Sequence, residues 1–326
     1  MRIVVLAGGV GGARFLIGLR TWARHEEAAG RGPHELTAVI NTGDDMWLAG
    51  LRITPDLDSV LYALAGVNDT ERGWGREGET ERVSAELRAW GVGWPWFTLG
   101  DLDLGAHIAR TSWLREGVPL HEVVARMSRR WDLGVRLLPA TDDEVETRVV
   151  TDSGDLHFQE WWTRYRAALP AHGFRNPGVD RARPAPGVID AIASADVVLL
   201  APSNPVVSIG AITAIPGIRT SLLATRASVI GISPIIGGAV VRGMADVCLS
   251  AIGVETDAAA VARHYGPRRP PAGSLAGLLD GWLVDEVDAS AVDELAGVGI
   301  PCRAVPLWMR DAESSAAIAA AAISLA

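Results

Sequence analysis

The sequence contains no lysine: all 30 basic residues are arginine, set against 39 acids for a net charge of −9. That absence excludes a Schiff-base or pyridoxal-phosphate lysine, an adenylylated lysine, and the Walker lysine that closes a G-x-x-x-x-G-K-[ST] loop. Any phosphate site must then rely on backbone N–H groups, arginines or a metal. Cysteine is nearly as scarce. Cys248 and Cys302 each stand alone in an apolar context, so there is no disulfide framework and no thiolate zinc site, as expected of a protein in a reducing cytosol. No apolar run approaches the roughly 18 residues of a membrane span, and the opening Met1–Ala7 lacks a long signal-peptide stretch. The arginines are scattered among acids instead of forming a basic face. This argues against nucleic acid or a membrane as partner and for a small molecule.

The 326 residues, 48% of them hydrophobic, suit a folded chain of about two domains, or one large domain with an insertion. Apolar runs repeatedly end in polar or glycine-rich turns that open helices. Ile3–Ala7 leads into Gly8-Gly9-Val10-Gly11-Gly12-Ala13-Arg14, and Leu36–Ile40 into Asn41-Thr42-Gly43-Asp44-Asp45. Asp196–Leu200 leads into Ala201-Pro202-Ser203-Asn204-Pro205, and Ser228–Ile232 into Ser233-Pro234-Ile235-Ile236-Gly237. Two further strands near Gly281–Val284 and Arg303–Leu307 bring the total to about six. Strands buried on both faces and alternating with helices predict an α/β fold with a doubly wound, mainly parallel sheet. Residues 66–187 change in texture to amphipathic helices (Thr80–Trp90, Ala106–Glu116, Leu120–Trp131), a hairpin near Glu144–Val150 and eight of the twelve tryptophans. They read as a mostly helical cap inserted into a core formed by 1–65 and 188–326. The Ala-rich tail, Ala316–Ala326, reads as a closing helix.

The glycine loop lies between the first strand and first helix, where its N–H groups and the helix dipole can hold an anion; the alternative is that the glycines only permit a tight turn. A dinucleotide fingerprint starting at Gly9 would need a small residue where Arg14 stands, so nicotinamide binding is disfavoured. Asp44 and Asp45, with Asp56 and Asp58 at the start of the next helix, bring carboxylates beside this loop. Such acids repel a phosphate unless a cation intervenes, and magnesium suits one or two carboxylates plus phosphate oxygens. Asp45 and Asp58 are the expected ligands, while Asp56 can equally be a first-turn acid favoured by the dipole. Ser203-Asn204 and Ser233 either line the crevice at the strand ends or cap the helices that follow. The tryptophans can stack on a flat ligand or fill a core. His107, His121 and His157 lack metal-ligand spacing and are expected in structural or polar contacts.

These motifs occur in a fixed order, together with Pro55-Asp56-Leu57-Asp58, Leu99-Gly100-Asp101 and His157-Phe158-Gln159-Glu160-Trp161-Trp162. In this the chain resembles the 2-phospho-L-lactate transferase family, and most closely its actinobacterial phosphoenolpyruvate-transferase branch in coenzyme F420 biosynthesis, from Met1 to about Met309. The resemblance implies a Rossmann-like core with a helical insertion, assembled as a homodimer. It also implies Mg²⁺-dependent transfer of a phosphoenolpyruvyl or 2-phospholactyl group from a guanosine diphospho-linked three-carbon acid to the ribityl hydroxyl of a 5-deazariboflavin, with GMP leaving. Asp45 and Asp58 correspond to the metal-binding, catalytic acids. Gly8, Gly9, Gly11, Gly12, Arg14, Asn41, Thr42, Ser203, Asn204, Ser233 and Arg242 fall on the donor side, and Asp58, Asp101, Trp96 and Arg110 on the acceptor side. Where many relatives read Gly-Asp-Arg-Asp, this chain has Gly100-Asp101-Leu102-Asp103, so either another arginine, such as Arg72, Arg76 or Arg110, takes that place or the acceptor or its affinity differs. The competing expectation from another class is a non-catalytic nucleotide-binding regulator of related fold.

Overall fold

A computed structural model describes residues 1–270 and 275–326. The chain runs β1 (Arg2–Ala7), α1 (Gly9–Ala28), β2 (Glu35–Ile40), a short hairpin β3 (Met46–Leu48) and β4 (Leu51–Ile53), then α2 (Pro55–Ala65). Next come α3 (Arg82–Ala89), α4 (Asp101–Arg115), α5 (Leu120–Ser128), β5 (Arg136–Pro139) and three antiparallel strands, β6 (Arg148–Thr151), β7 (Gly154–His157) and β8 (Ala171–Arg175). The remainder is α6 (Val188–Ser194), β9 (Val197–Leu200), α7 (Ala211–Ala214), α8 (Ile218–Ala224), β10 (Ser228–Ile232), the pair β11 (Ile235–Ile236) and β12 (Ala239–Val240), α9 (Ala245–Ala251), α10 (Ala258–Tyr265), β13 (Gly281–Val284), α11 (Ala291–Ala296), β14 (Cys302–Ala304) and α12 (Ala312–Leu325).

Seven strands, one more than the sequence reading counted, form a parallel sheet in the order β14-β13-β10-β9-β1-β2-β5. The additional strand is β5, whose Thr37↔Arg136 to Ile40↔Pro139 register places it at the sheet edge although it lies inside the stretch expected to be a helical cap. The cap stretch also contributes the three-stranded antiparallel sheet, so it is a mixed segment. The apolar strand runs are explained by burial on both faces. One face packs α1, α2, α5 and α12 around Phe15, Leu16, Leu61 and Ile318; the other packs α6, α8, α10 and α11 around Ile192, Ile218, Val261 and Leu295. The chain leaves β1 toward β2 and later returns to place β9 on the opposite side of β1. The topological switch point therefore lies between β1 and β9, where open α/β sheets place their ligands. Among the described residues, no single helix is long and apolar enough to cross a membrane.

The close approach of α1 to α12 has a sequence cause. A Cβ added at Gly18, in the middle of α1, would overlap the side chain and backbone of Ser315 in α12. Gly18→Ala is therefore expected to destabilise the fold by about 1–3 kcal/mol despite alanine's better helix propensity. Urea unfolding checks this, and a neutral or stabilising result would contradict the close packing.

Candidate active site

The loops that leave β1, β2 and β9 meet at the carboxyl end of the sheet. Ser203, just after β9, accepts a hydrogen bond from Gly8 N–H at 3.0 Å and donates to Gly8 C=O at 2.7 Å, tying two strand ends together across the switch point. The glycines are fitted to this crossing. Gly9 adopts φ +61°, a Cβ on Gly11 would meet the Pro202 carbonyl oxygen at 2.5 Å, and one on Gly12 would meet Ala7 and Ser203 at 2.8 Å. The buried Asp56 carboxylate lies against the same loop, and a Cβ on Gly8 would meet its Oδ2 at 2.5 Å. An internal carboxylate thus already sits beside the N-terminus of α1, where any external anion would approach. Arg14 is exposed on the next turn.

Asn41 organises the second loop. Its Nδ2 donates to Asp44 Oδ1 at 3.2 Å and Asp56 Oδ2 at 2.9 Å, while its Oδ1 accepts from Gly43 N–H at 2.9 Å. Gln159 Nε2 reaches Asp44 Oδ2 at 3.1 Å from the segment following β7. Thr42 is buried, and its carbonyl accepts from Asp45 N–H at 3.2 Å. Asp56 is a first-turn acid of α2, as the dipole argument allowed, and it also spans from that helix to the glycine loop.

Asp45 and Asp58 are both buried, each facing an arginine. Asp45 Oδ2 lies 3.5 Å from Arg52 Nη2, whereas its Oδ1 has no hydrogen-bond partner and is fully enclosed. Asp58 Oδ1 is ion-paired with Arg110 Nη2, and its Oδ2 accepts from Thr54 Oγ1 at 3.2 Å. Arg110 Nη1 also contacts His107 Nδ1 at 2.7 Å and the Arg52 carbonyl at 3.1 Å. His107 Nε2 lies 3.3 Å from Asp103 Oδ1, which accepts a hydrogen bond from Tyr62 OH at 2.7 Å. Asp58, Asp103 and His107 hold ligand-type atoms within 4.8 Å of one another, with Arg110 beside them.

Five buried acids and two buried arginines leave this region short of positive charge. Burial pushes Asp45 up to about 8, partly opposed by Arg52 and Arg110 and reinforced by the charges of Asp58 and Asp56. Burial likewise raises Asp56 to about 6 against the hydrogen bond from Asn41 and the nearby Gly9 N–H. Asp44 stands well above the ordinary range because of burial and the neighbouring Asp56 charge. Asp58 is raised by burial even though Arg110 and His107 oppose it. At Asp103 burial works upward as well, but the close His107 ring and the hydrogen bond from Tyr62 win and its value is lowered. Four adjoining carboxyls thus resist ionisation, and one of them, Asp45, keeps an unpartnered buried oxygen.

The structure gives several expected ligand residues other partners. Asn204 realises the capping alternative by accepting from Val206 and Val207 N–H, whereas the Ser233 hydroxyl closes a local turn with Ile235 that leads into β11 and no helix. Arg242 is exposed and donates to the Arg72 carbonyl at 3.2 Å. Asp101 accepts from Thr80 Oγ1 and Val83 N–H, anchoring the start of α3. Arg110, expected to face the acceptor in place of the arginine missing at the exposed Leu102, is instead buried on Asp58. Trp96 stacks on Trp94 with centroids 4.6 Å apart and planes 18° from parallel. Trp161, by contrast, is wholly buried in the packing around β6. Sequence reasoning missed Arg52 and Gln159. The signal for Arg52 was a lone charge between Leu51 and Ile53, and that for the Asp103–His107 pair was its i,i+4 spacing.

Residues 3–297 match the protein family described as 2-phospho-L-lactate transferase CofD. The whole chain aligns with a phosphoenolpyruvate transferase from Thermobifida fusca at 56% identity over 98% of that protein. It also aligns over its whole length with phosphoenolpyruvate transferases from Nocardia farcinica (53%, covering 95% of that protein) and Mycobacterium sp. strain KMS (52%, covering 99%). A crystal structure of a UPF0052 family member from Bacillus halodurans superposes with a TM-score of 0.61 over 98% of each chain; at 17% identity this is a likeness of fold.

Ser203→Ala strands both backbone groups of buried Gly8, and a loss of about 1–3 kcal/mol in denaturant unfolding is expected. The raised Asp45 carboxyl sets a pH dependence. The group binds its proton more tightly folded than unfolded, so its stabilising contribution is full below about pH 4 and is lost as pH rises through about 8. In metal-free buffer, Asp45→Asn should therefore gain about 1–3 kcal/mol relative to the parent between pH 5 and pH 9. Calorimetry at the two pH values checks this, and a pH-independent difference would contradict the assignment.

Proposed function

The chain belongs to the 2-phospho-L-lactate transferase CofD family, and from that membership we propose that it transfers a phosphoenolpyruvyl or 2-phospholactyl group in coenzyme F420 biosynthesis. The donor is enolpyruvyl- or lactyl-diphospho-5′-guanosine, the acceptor is the ribityl hydroxyl of 7,8-didemethyl-8-hydroxy-5-deazariboflavin, and GMP leaves. The ribityl oxygen gains the new bond to phosphorus as the bond to the bridging oxygen of GMP breaks and the hydroxyl loses its proton. The observation that carries this reading is the cation-deficient carboxylate cluster at the sheet switch point. Asp45, with its unpartnered Oδ1, and Asp58 are the residues that would hold Mg²⁺. When bound, the ion supplies the charge that lets a diphosphate approach these acids and that stabilises the departing GMP.

The chain's own groups do the positioning. Arg110 and Thr54 fix both oxygens of Asp58, which makes this acid a rigid acceptor for orienting a hydroxyl. The Ser203 latch and the Asp56 contact hold the glycine loop in a single shape with its later N–H groups directed along α1. The Trp94–Trp96 stack gives the cap segment an aromatic surface suited to a flat deazaflavin. Such transfer needs orientation and charge neutralisation more than a covalent nucleophile, in keeping with a chain that has no lysine and whose cysteines are held protonated by burial. Family membership supports a homodimeric assembly.

Incubation with the deazaflavin, Mg²⁺ and enolpyruvyl-diphospho-5′-guanosine is expected to release GMP. Chelation should abolish release, and Asp58→Asn should lower kcat by about 10²-fold or more. Mass spectrometry of the product formed from mixed enolpyruvyl, lactyl and glyceryl donors identifies the acid transferred. Tight nucleotide binding without turnover would favour a regulator instead.

A further inference from the structure

One buried ion-paired couple carries two unpartnered atoms of opposite character. Asp45 Oδ1 is a buried acceptor with no donor, and Arg52 Nη1 is a buried donor with no acceptor. They belong to side chains already paired through Asp45 Oδ2 and Arg52 Nη2 at 3.5 Å, both with side chains less than 5% exposed. An oxygen that lacks a cation beside a guanidinium N–H that lacks an anion matches a ligand bearing both, a metal-bound anionic oxygen. The guanidinium is held for such a role. Its strand pairs Trp47 with Arg52, its plane lies over the Trp47 ring at 5.9 Å, its backbone N–H bonds Thr111 Oγ1 at 2.8 Å, and its carbonyl accepts from Arg110. The nearest other acid, Glu144 Oε2, is 4.0 Å from Nη1, and Glu144 is mostly exposed and also accepts from Trp47 Nε1 at 3.0 Å.

We infer that Arg52 is a donor-binding residue that receives an anionic oxygen of the guanosine donor, from its diphosphate or its three-carbon carboxylate, next to the metal-binding Asp45. This rests on the transferase reading above. Arginine suits the role because its planar fork can keep one N–H on Asp45 while offering another to the ligand, whereas the point charge of lysine cannot serve two acceptors in one plane equally well.

The test is calorimetric and compares the full-length parent, Arg52→Gln and Arg52→Lys. Mn²⁺ alone should bind Arg52→Gln at least as tightly as the parent, because a cation next to Asp45 has been removed. Affinity for enolpyruvyl-diphospho-5′-guanosine with Mg²⁺ should fall about ten- to hundredfold in Arg52→Gln and recover only in part in Arg52→Lys. GDP with Mg²⁺ separates the two sources. An equal loss assigns the contact to the diphosphate, and a loss confined to the full donor assigns it to the carboxylate. Unchanged affinity for both ligands in a variant that still binds Mn²⁺ overturns the inference and leaves the transferase reading standing. Loss of Mn²⁺ binding reduces Arg52 to a support for Asp45 and also overturns it. A parent protein that binds neither nucleotide overturns the transferase reading itself.

Discussion

Five carboxylates lie buried at one end of the sheet with only two buried arginines nearby, and this charge imbalance is the constraint to which the rest of the site answers. Each isolated buried carboxylate costs several kcal/mol, so the fold spends its polar groups on them. The amides of Asn41 and Gln159 serve Asp44 and Asp56, Thr54 serves Asp58, and Tyr62 serves Asp103. Even the helix ends contribute, since α1 and α2 both start here and present their positive ends to the acids. What internal groups leave undone is concentrated at Asp45, the one of these acids with a fully unpartnered oxygen.

Arginine instead of lysine shapes how the available charge is used. Arg110 reaches Asp58, His107 and the Arg52 backbone from one planar group, so a single cation fixes an acid, a histidine and a neighbouring strand together. A lysine would satisfy fewer of these contacts and would lose its proton more readily when enclosed. The lysine-free composition is thus compatible with a densely buried ionic cluster, and at Arg110 the cluster uses a property that only arginine has.

Much of this was legible in the sequence. Strand runs that end in polar turns located the sheet and the switch-point loops, because burial on both faces and the carboxyl-end rule are local signals. The glycine loop was legible in place but only partly in role. Nothing in Gly8-Gly9 reveals that the Asp56 carboxylate lies against this loop, or that Ser203 holds Gly8 from β9. Such pairings depend on sheet order, which spacing along the chain does not encode. Arg52 and Arg110 illustrate the same limit. An arginine on a short strand or a helix face looks solvated until tertiary packing closes over it.

The edge strand β5 carries a consequence for how this protein can be divided. It is drawn from the middle of residues 66–187, and its register with β2 is continuous over four residue pairs. Excising residues 66–187, or grafting that stretch from a relative as a cassette, would strip β2 of its neighbour and bare a row of unpaired N–H and C=O groups beside the acid cluster. Cover and core are therefore a single folding unit, and recombination between homologues should succeed at junctions on either side of β5 only when the strand travels with the sheet it completes.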